Sequence, residues 1–92
     1  NNTDASRYEV QLDDGQFALI DYKLRGDLII MTHTEVPLEY EGRGIASNLV
    51  KFALDDARAQ GYQVKPSCPF VRNYIKRHPE YESLVATQPS AN

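Results

Sequence analysis

One cysteine, Cys68, stands in the whole chain, so no disulfide can close within it, and a reducing setting, the cytoplasm, is expected. Long apolar runs are also missing. The longest, Leu28-Ile29-Ile30-Met31, is far short of the roughly 20 residues that a membrane helix needs. No stretch near the N-terminus has the basic-then-apolar layout of a signal peptide, and no membrane partner is expected. A basic surplus is absent: the formal net charge is −3. A general nucleic-acid binder displaces counterions with clustered Lys and Arg, so DNA and RNA are not expected as partners. That balance leaves room for a local basic site for a small phosphorylated ligand. Histidine is scarce as well. His33, His78 and Cys68 lie at wide, irregular spacing that gives no zinc signature, and no metal is expected.

What is present fits one small globular domain. The chain has 92 residues, 41% of them hydrophobic and 25% charged. A domain of this size buries only about 60–65% of the surface its unfolded chain exposes, so the core must be economical. The polar ends, residues 1–6 and 86–92, read as disordered tails around a single domain at 7–85. In the first half, Tyr8, Val10 and Leu12 alternate with Glu9 and Gln11, and Asp13-Asp14-Gly15-Gln16 reads as a turn. Ala18, Ile20, Tyr22 and Leu24 make a second alternating face, closed by Arg25-Gly26-Asp27. A third strand runs from Leu28 to about Val36, and its apolar start predicts a central place in the sheet.

The period then changes. From Gly44 to Gln60, Ile45, Ala46, Leu49, Val50, Ala53, Leu54 and Ala57 recur at helical spacing, and Gly61 supplies a left-handed stop. Tyr62 to Lys65 reads as a short strand, and Pro69 as the first residue of a helix through roughly Arg77. The order β-β-β-α-β-α predicts an α/β (α+β) fold with a mixed sheet. An antiparallel meander comes first, then a right-handed crossover with helices packed on the sheet.

The segment Glu41-Gly42-Arg43-Gly44-Ile45-Ala46 lies between a strand and the apolar face of a helix. Glycines there let the backbone approach a ligand, and the free N–H groups of the first helical turn point outward with the positive end of the dipole. The alternatives are a phosphate cradle and a plain tight turn. The segment is not a Walker loop and not a GxGxxG fingerprint.

Taken together, His33-Thr34-Glu35-Val36-Pro37, Glu41 to Ser47, Pro66-Ser67-Cys68-Pro69-Phe70-Val71 and His78-Pro79-Glu80-Tyr81 resemble the small GCN5-related N-acetyltransferase-like proteins of about a hundred residues. The resemblance covers residues 8–85. It implies a GNAT-like fold, acetyl-CoA or coenzyme A as co-substrate, and a primary amine, on a small molecule or a protein lysine, as acceptor. The superfamily's acyl-CoA loop reads Arg/Gln-x-x-Gly-x-Gly/Ala; Gly44 and Ala46 match its last two fixed positions, and Glu41 departs from the first. A carboxylate repels a pyrophosphate. Binding is therefore assigned to the backbone amides of Gly42, Arg43, Gly44, Ile45, Ala46 and Ser47, with Arg43 adding charge. The N-terminal strand and helices that help enclose the acceptor in larger relatives have no counterpart here, and an open acceptor side is expected.

Acyl transfer needs a held donor, a polarised carbonyl, a base for the amine proton and an acid for the departing thiolate. The resemblance places the backbone donor to the carbonyl around Glu35 and Val36, and the acid at Tyr74. Tyr74 has a second reading, as a core ring packed with Phe70. Cys68, just before Pro69, reads as a helix N-cap where the dipole favours a thiolate; it lines the cofactor's thiol end, acts as an acyl acceptor, or is an inert buried residue. His33 falls by strict alternation on the face of Ile29 and Met31, as a base or a hydrogen-bonded core residue. Arg72, Lys76 and Arg77 make a basic helix end, solvated or facing the 3′-phosphate of coenzyme A. The leading expectation is an N-acetyltransferase, monomeric or weakly dimeric. A non-catalytic CoA-binding or sensing module and a plain interaction domain stand beside it.

Overall fold

A computed structural model describes residue 3 and residues 5–86. Three strands come first, β1 (Arg7–Gln11), β2 (Phe17–Arg25) and β3 (Leu28–Glu35), followed by helix α1 (Ile45–Gln60), strand β4 (Gln63–Pro66) and helix α2 (Pro69–Arg77). The order is the one the periodicity predicts. Two 3-10 segments, Leu38–Tyr40 and Pro79–Leu84, add to it. The second is no simple break after α2: it returns Tyr81 and Leu84 to the core.

Both ends of α1 are set by glycine. Gly44 precedes the helix at φ 76°, ψ 8°, a left-handed conformation that a β-carbon disfavours. At the other end Gly61 is also left-handed; its N–H donates to the Arg58 carbonyl, and the Tyr62 N–H donates to the Ala57 carbonyl. Those two bonds form a Schellman motif, which satisfies carbonyls that the last turn leaves open. In between, Leu49, Val50, Ala53, Leu54 and Ala57 form the buried stripe.

The sheet order is β1-β2-β3-β4. β1 and β2, and β2 and β3, pair antiparallel; β4 joins β3 in parallel after the α1 crossover. A parallel partner cannot be reached by a hairpin, so the helix is the connection that the pairing requires. Tyr8, Ala18, Ile20, Tyr22, Ile29, Met31 and Val64 share one sheet face and form a single cluster with the buried stripes of α1 and α2. Ile29 is 1% exposed, and truncation to Ala costs about 2–5 kcal/mol. Two long-range hydrogen bonds brace the helical layer, from the Tyr8 hydroxyl to Asp56 and from the Tyr81 hydroxyl to Asp55, each 2.7 Å.

One irregularity shapes the site. Asp21 pairs with His33, but Tyr22 pairs with Met31, so Thr32 is an extra residue in β3. Such a bulge reverses the alternation beyond it. Thr34, opposite Ile20, therefore returns to the helix-covered face, and His33 turns to the open face. This corrects the expectation that His33 shares a face with Ile29 and Met31. β3 also parts from β4 here: the parallel register ends at Met31 and Pro66, and the last link is the Cys68 N–H to the Met31 carbonyl at 3.0 Å.

The expected tails fall largely on residues 1, 2, 4 and 87–92, which lie outside the described residues. At their inner limits the Ser6 carbonyl accepts from the Tyr22 N–H, and the Ala86 N–H donates to the Val64 carbonyl.

Candidate functional site

Where β3 and β4 part, a groove of about 430 Å³ opens on the helix-covered side of the sheet. Thr34 and Val36 of the splayed strand form one wall, and Phe70 of α2 stands with them. Tyr40, Glu41, Gly42 and Gly44 form the rim, and Ile45, Ala46 and Ser47 bring in the first turn of α1.

The rim has the properties of an anion cradle. The first α1 hydrogen bond runs from the Asn48 N–H to the Gly44 carbonyl, so the preceding amides have no acceptor within the helix. The N-cap residue, Gly44, has no side chain to cap them, and no acidic residue occupies the first turn. Gly42 and Gly44 have φ of 83° and 76°, and a β-carbon on either would meet nothing within 4 Å. The backbone is thus bare where a ligand would approach, and the positive end of a 16-residue helix faces it.

Deeper in, Thr34 joins the groove wall to α2. Its hydroxyl lies 3.2 Å from the Cys68 sulfur, and Cys68 is the residue before the first turn of α2. Burial pushes the thiol's pKa up. The Thr34 hydroxyl and the backbone N–H groups of Val71, Phe70 and Thr34 outweigh that and hold it below the usual thiol value. The arrangement rests on a fixed loop: the Arg72 guanidinium donates to the carbonyls of Pro66 and Ser67, at 3.3 and 2.9 Å. That guanidinium is thereby used in holding the Cys68 loop.

The residues singled out in the sequence divide into three groups. Val36, Gly42, Gly44, Ile45, Ala46 and Ser47 line the groove, and Cys68 stands behind its Thr34 wall. His33 and Glu35 lie on the opposite, open face of the same splayed segment, where His33 Nε2 is 3.3 Å from a Glu35 carboxylate oxygen. Arg43 lies over the Tyr40 ring, 5.1 Å from its centroid, at the groove's outer edge. Tyr74 is in neither place. Its ring stacks on His78 at 4.1 Å and tilts against Tyr81, and Phe70, the partner expected for it, faces the groove instead. Burial raises the Tyr74 pKa, and Lys51, Glu80 and Asp55 are the charges that act on its hydroxyl.

Thr34, Tyr40 and Phe70 are the lining residues that the sequence reading passed over. Thr34 was hidden by the bulge, which no alternation reveals. Phe70 had a visible signal: it follows Pro69 in the first turn of α2, where a side chain faces whatever lies beyond the helix end.

Comparison with known proteins agrees with this geometry. Residues 7–84 match a family model described as GCN5-related N-acetyl-transferase. The proteins named Protein NATD1 from mouse and human are each 37% identical over 73 residues, or 78% of this chain. The chain spans just under two thirds of those relatives, 66% and 65% of their length. A GCN5-like protein from Staphylococcus aureus, determined in solution, superimposes with a TM-score of 0.65 at 20% identity, over 88% of this chain and 81% of that one. At that identity the likeness speaks for the fold alone. With a splayed β3–β4 pair, a bare glycine rim before α1 and a family match across nearly all the described residues, the chain belongs to the GCN5-related N-acetyltransferase family.

Proposed function

We propose that this chain binds acetyl-CoA in the β3–β4 groove and transfers its acetyl group to a primary amine. The observation that carries this reading is the uncapped N-terminus of α1, set behind two left-handed glycines and opening into the splay. The amides of Ile45, Ala46 and Ser47, with the positive end of the α1 dipole behind them, hold a pyrophosphate there, and their attraction opposes the repulsion from the Glu41 carboxylate at the rim. The groove then leads past Val36 and Ile45 to Thr34 and Phe70. Along that path the methylenes of the pantetheine arm meet Val36, Ile45 and Phe70, and its amide groups face the β3 backbone beyond the β4 pairing.

Acetyl-CoA supplies an activated thioester. The chain's own groups supply the rest. Beyond the bulge β3 has no β4 partner, so its backbone there is available to the thioester carbonyl oxygen, as an oxyanion donor. The amine comes from the open face, where His33 takes its proton and Glu35 orients the imidazole. As the new C–N bond forms and the C–S bond breaks, the departing sulfur lies beside the Thr34–Cys68 pair. Thr34 donates to the Cys68 sulfur, and the Cys68 thiol in turn donates its hydrogen to the departing sulfur.

A second reading, a CoA-binding module without turnover, has one observation in its favour. Glu41 lines the groove where the superfamily's loop carries Arg or Gln. Two measurements separate the readings. Calorimetry with acetyl-CoA tests the groove, and release of free CoA thiol in the presence of amine and lysine-peptide acceptors tests the chemistry. Binding with acceptor-dependent thiol release is expected. Binding without it, for every acceptor, leaves the module; no binding at all removes both.

A further inference from the structure

Most of the ten lysines and arginines are already engaged. Arg7 pairs with Asp21, Lys51 pairs with Asp55, and Arg43 lies over the Tyr40 ring. Arg58 donates to the Glu80 carbonyl, and Arg72 holds the Cys68 loop. Lys76 and Arg77 stand in the last turn of α2, where they complement its dipole. Lys23, Arg25 and Lys65 remain. All three are exposed, and among the described residues none of them pairs with a carboxylate.

These three stand together. Lys23 and Lys65 are both opposite Ile30, one on either side of β3, and Arg25 is opposite Leu28. Tyr22, Ile29 and Val64 alternate with them into the core, so the three cations project from the open face. Like charges on neighbouring positions of one sheet face repel, and an anion set among them relieves that repulsion. In a chain of net charge −3, this is where an acidic partner meets an opposite charge.

The spacing is that of an extended chain. Asp21 is opposite His33, Lys23 opposite Ile30 and Arg25 opposite Leu28, so successive levels of the open face are two β2 residues, about 7 Å, apart. Side chains on one side of an extended peptide recur at the same interval. Ile30 and Leu28 are half-buried and offer its methylenes a surface to pack on.

We propose that the open face docks an extended acidic segment of a protein acceptor. Its lysine meets His33, and acidic side chains two and four residues away reach first the Lys23–Lys65 pair and then Arg25. Naming the docked segment as the acceptor rests on the transfer reading above; the docking itself does not. Beyond His33 the face carries Glu35, which repels a carboxylate, so acidic residues are favoured on one side of the lysine only. A free amino acid carries its carboxylate too close to its amine to span these levels.

Three peptides with a single lysine test this. One carries glutamates two and four residues before the lysine, one carries them after it, and one has glutamines at all four positions. One glutamate peptide, not both, is expected to exceed the glutamine peptide in kcat/KM by about tenfold at low salt, the scale of two or three surface ion pairs. The advantage should vanish near 1 M salt, where the Debye length is about 3 Å, and should reverse in the double variant Lys23→Glu/Lys65→Glu. Calorimetry with the same peptides reads docking without turnover. Equal binding and equal turnover of the three peptides overturn the docking site and leave the transfer reading standing. Equal gains from both glutamate peptides also overturn it, since the face has one basic end. Thiol release with none of them, while one glutamate peptide binds the parent and not the double variant, overturns the transfer reading and upholds the docking site.

Discussion

The hydroxyl of Thr34 lies 3.2 Å from the sulfur of Cys68, which ties the wall of the groove to the residue that opens α2. That contact is the largest of the effects that lower the thiol's pKa. A thiolate reacts with alkylating agents and a thiol does not. The alkylation rate of Cys68 is therefore expected to rise with pH at a midpoint below the ordinary thiol range, and the midpoint should move up in Thr34→Val, which keeps the shape and removes the hydroxyl. Saturating CoA should slow the labelling at any pH. A midpoint that does not move in Thr34→Val would mean that the backbone amides of Val71 and Phe70 act alone.

Gly44 allows a test that separates charge from backbone strain. Asn and Asp both tolerate the left-handed conformation better than most residues do, and nothing in the fold stands in the way of either side chain. Gly44→Asn is expected to cost less than about tenfold in acetyl-CoA affinity, and Gly44→Asp at least about 100-fold, or about 2.7 kcal/mol. The difference is a carboxylate aimed at the pyrophosphate. Equal affinities for the two variants, measured by calorimetry, would move the anion away from the α1 N-terminus.

Turnover distinguishes the open face from the α2 core. His33→Ala is expected to lower acceptor-dependent thiol release by about 100-fold or more, with acetyl-CoA affinity unchanged, the pattern of a lost proton acceptor. Tyr74→Phe is expected to change turnover by less than about threefold, since its ring packs on His78 and Tyr81 and lies outside the groove lining. A large loss in Tyr74→Phe at unchanged affinity would restore Tyr74 as the proton donor to the thiolate.

The Tyr81–Asp55 hydrogen bond carries a pH signature with two edges. The Tyr81 hydroxyl, and Lys51 after it, hold the Asp55 carboxyl below its usual value; Asp55 in turn pushes the Tyr81 hydroxyl up to about 12. A depressed carboxyl stabilises the fold above about pH 4 and loses that effect as pH falls through its lowered value. A raised tyrosine stabilises it below about pH 10 and loses that effect as pH rises through the raised one. Tyr81→Phe is expected to cost about 1 kcal/mol by denaturant titration, since Asp55 is partly exposed to water. The cost should be flat between those limits and shrink beyond them. A cost that is the same at acid and neutral pH would assign it to packing alone.

Much of this molecule was legible from residue order. Gly61 and Pro69 mark helix ends because each has one backbone habit that fits only there, and the α1 stripe declares itself by period. The glycine rim and the capping position of Cys68 were legible for the same reason. His33 was misplaced because alternation holds only while pairing is regular, and one extra residue at Thr32 leaves no mark in composition or spacing. Thr34 was missed by the same shift. Tyr74 was matched to a role by its distance from Cys68 along the chain, but its ring is held by His78 and by Tyr81, which arrives from a 3-10 segment that no strong periodicity announces.

The extra residue in β3 splits one strand into two territories. Upstream, Ile29 and Met31 answer to the core, so changes there should show in melting temperature first. Downstream, neighbours in sequence look into separate rooms: Thr34 and Val36 into the groove, His33 and Glu35 onto the open face. Deleting Thr32 would not merely shorten the strand. It would exchange the occupants of the two rooms, putting an imidazole into the groove and a threonine onto the open face, in a protein whose core residues had not changed.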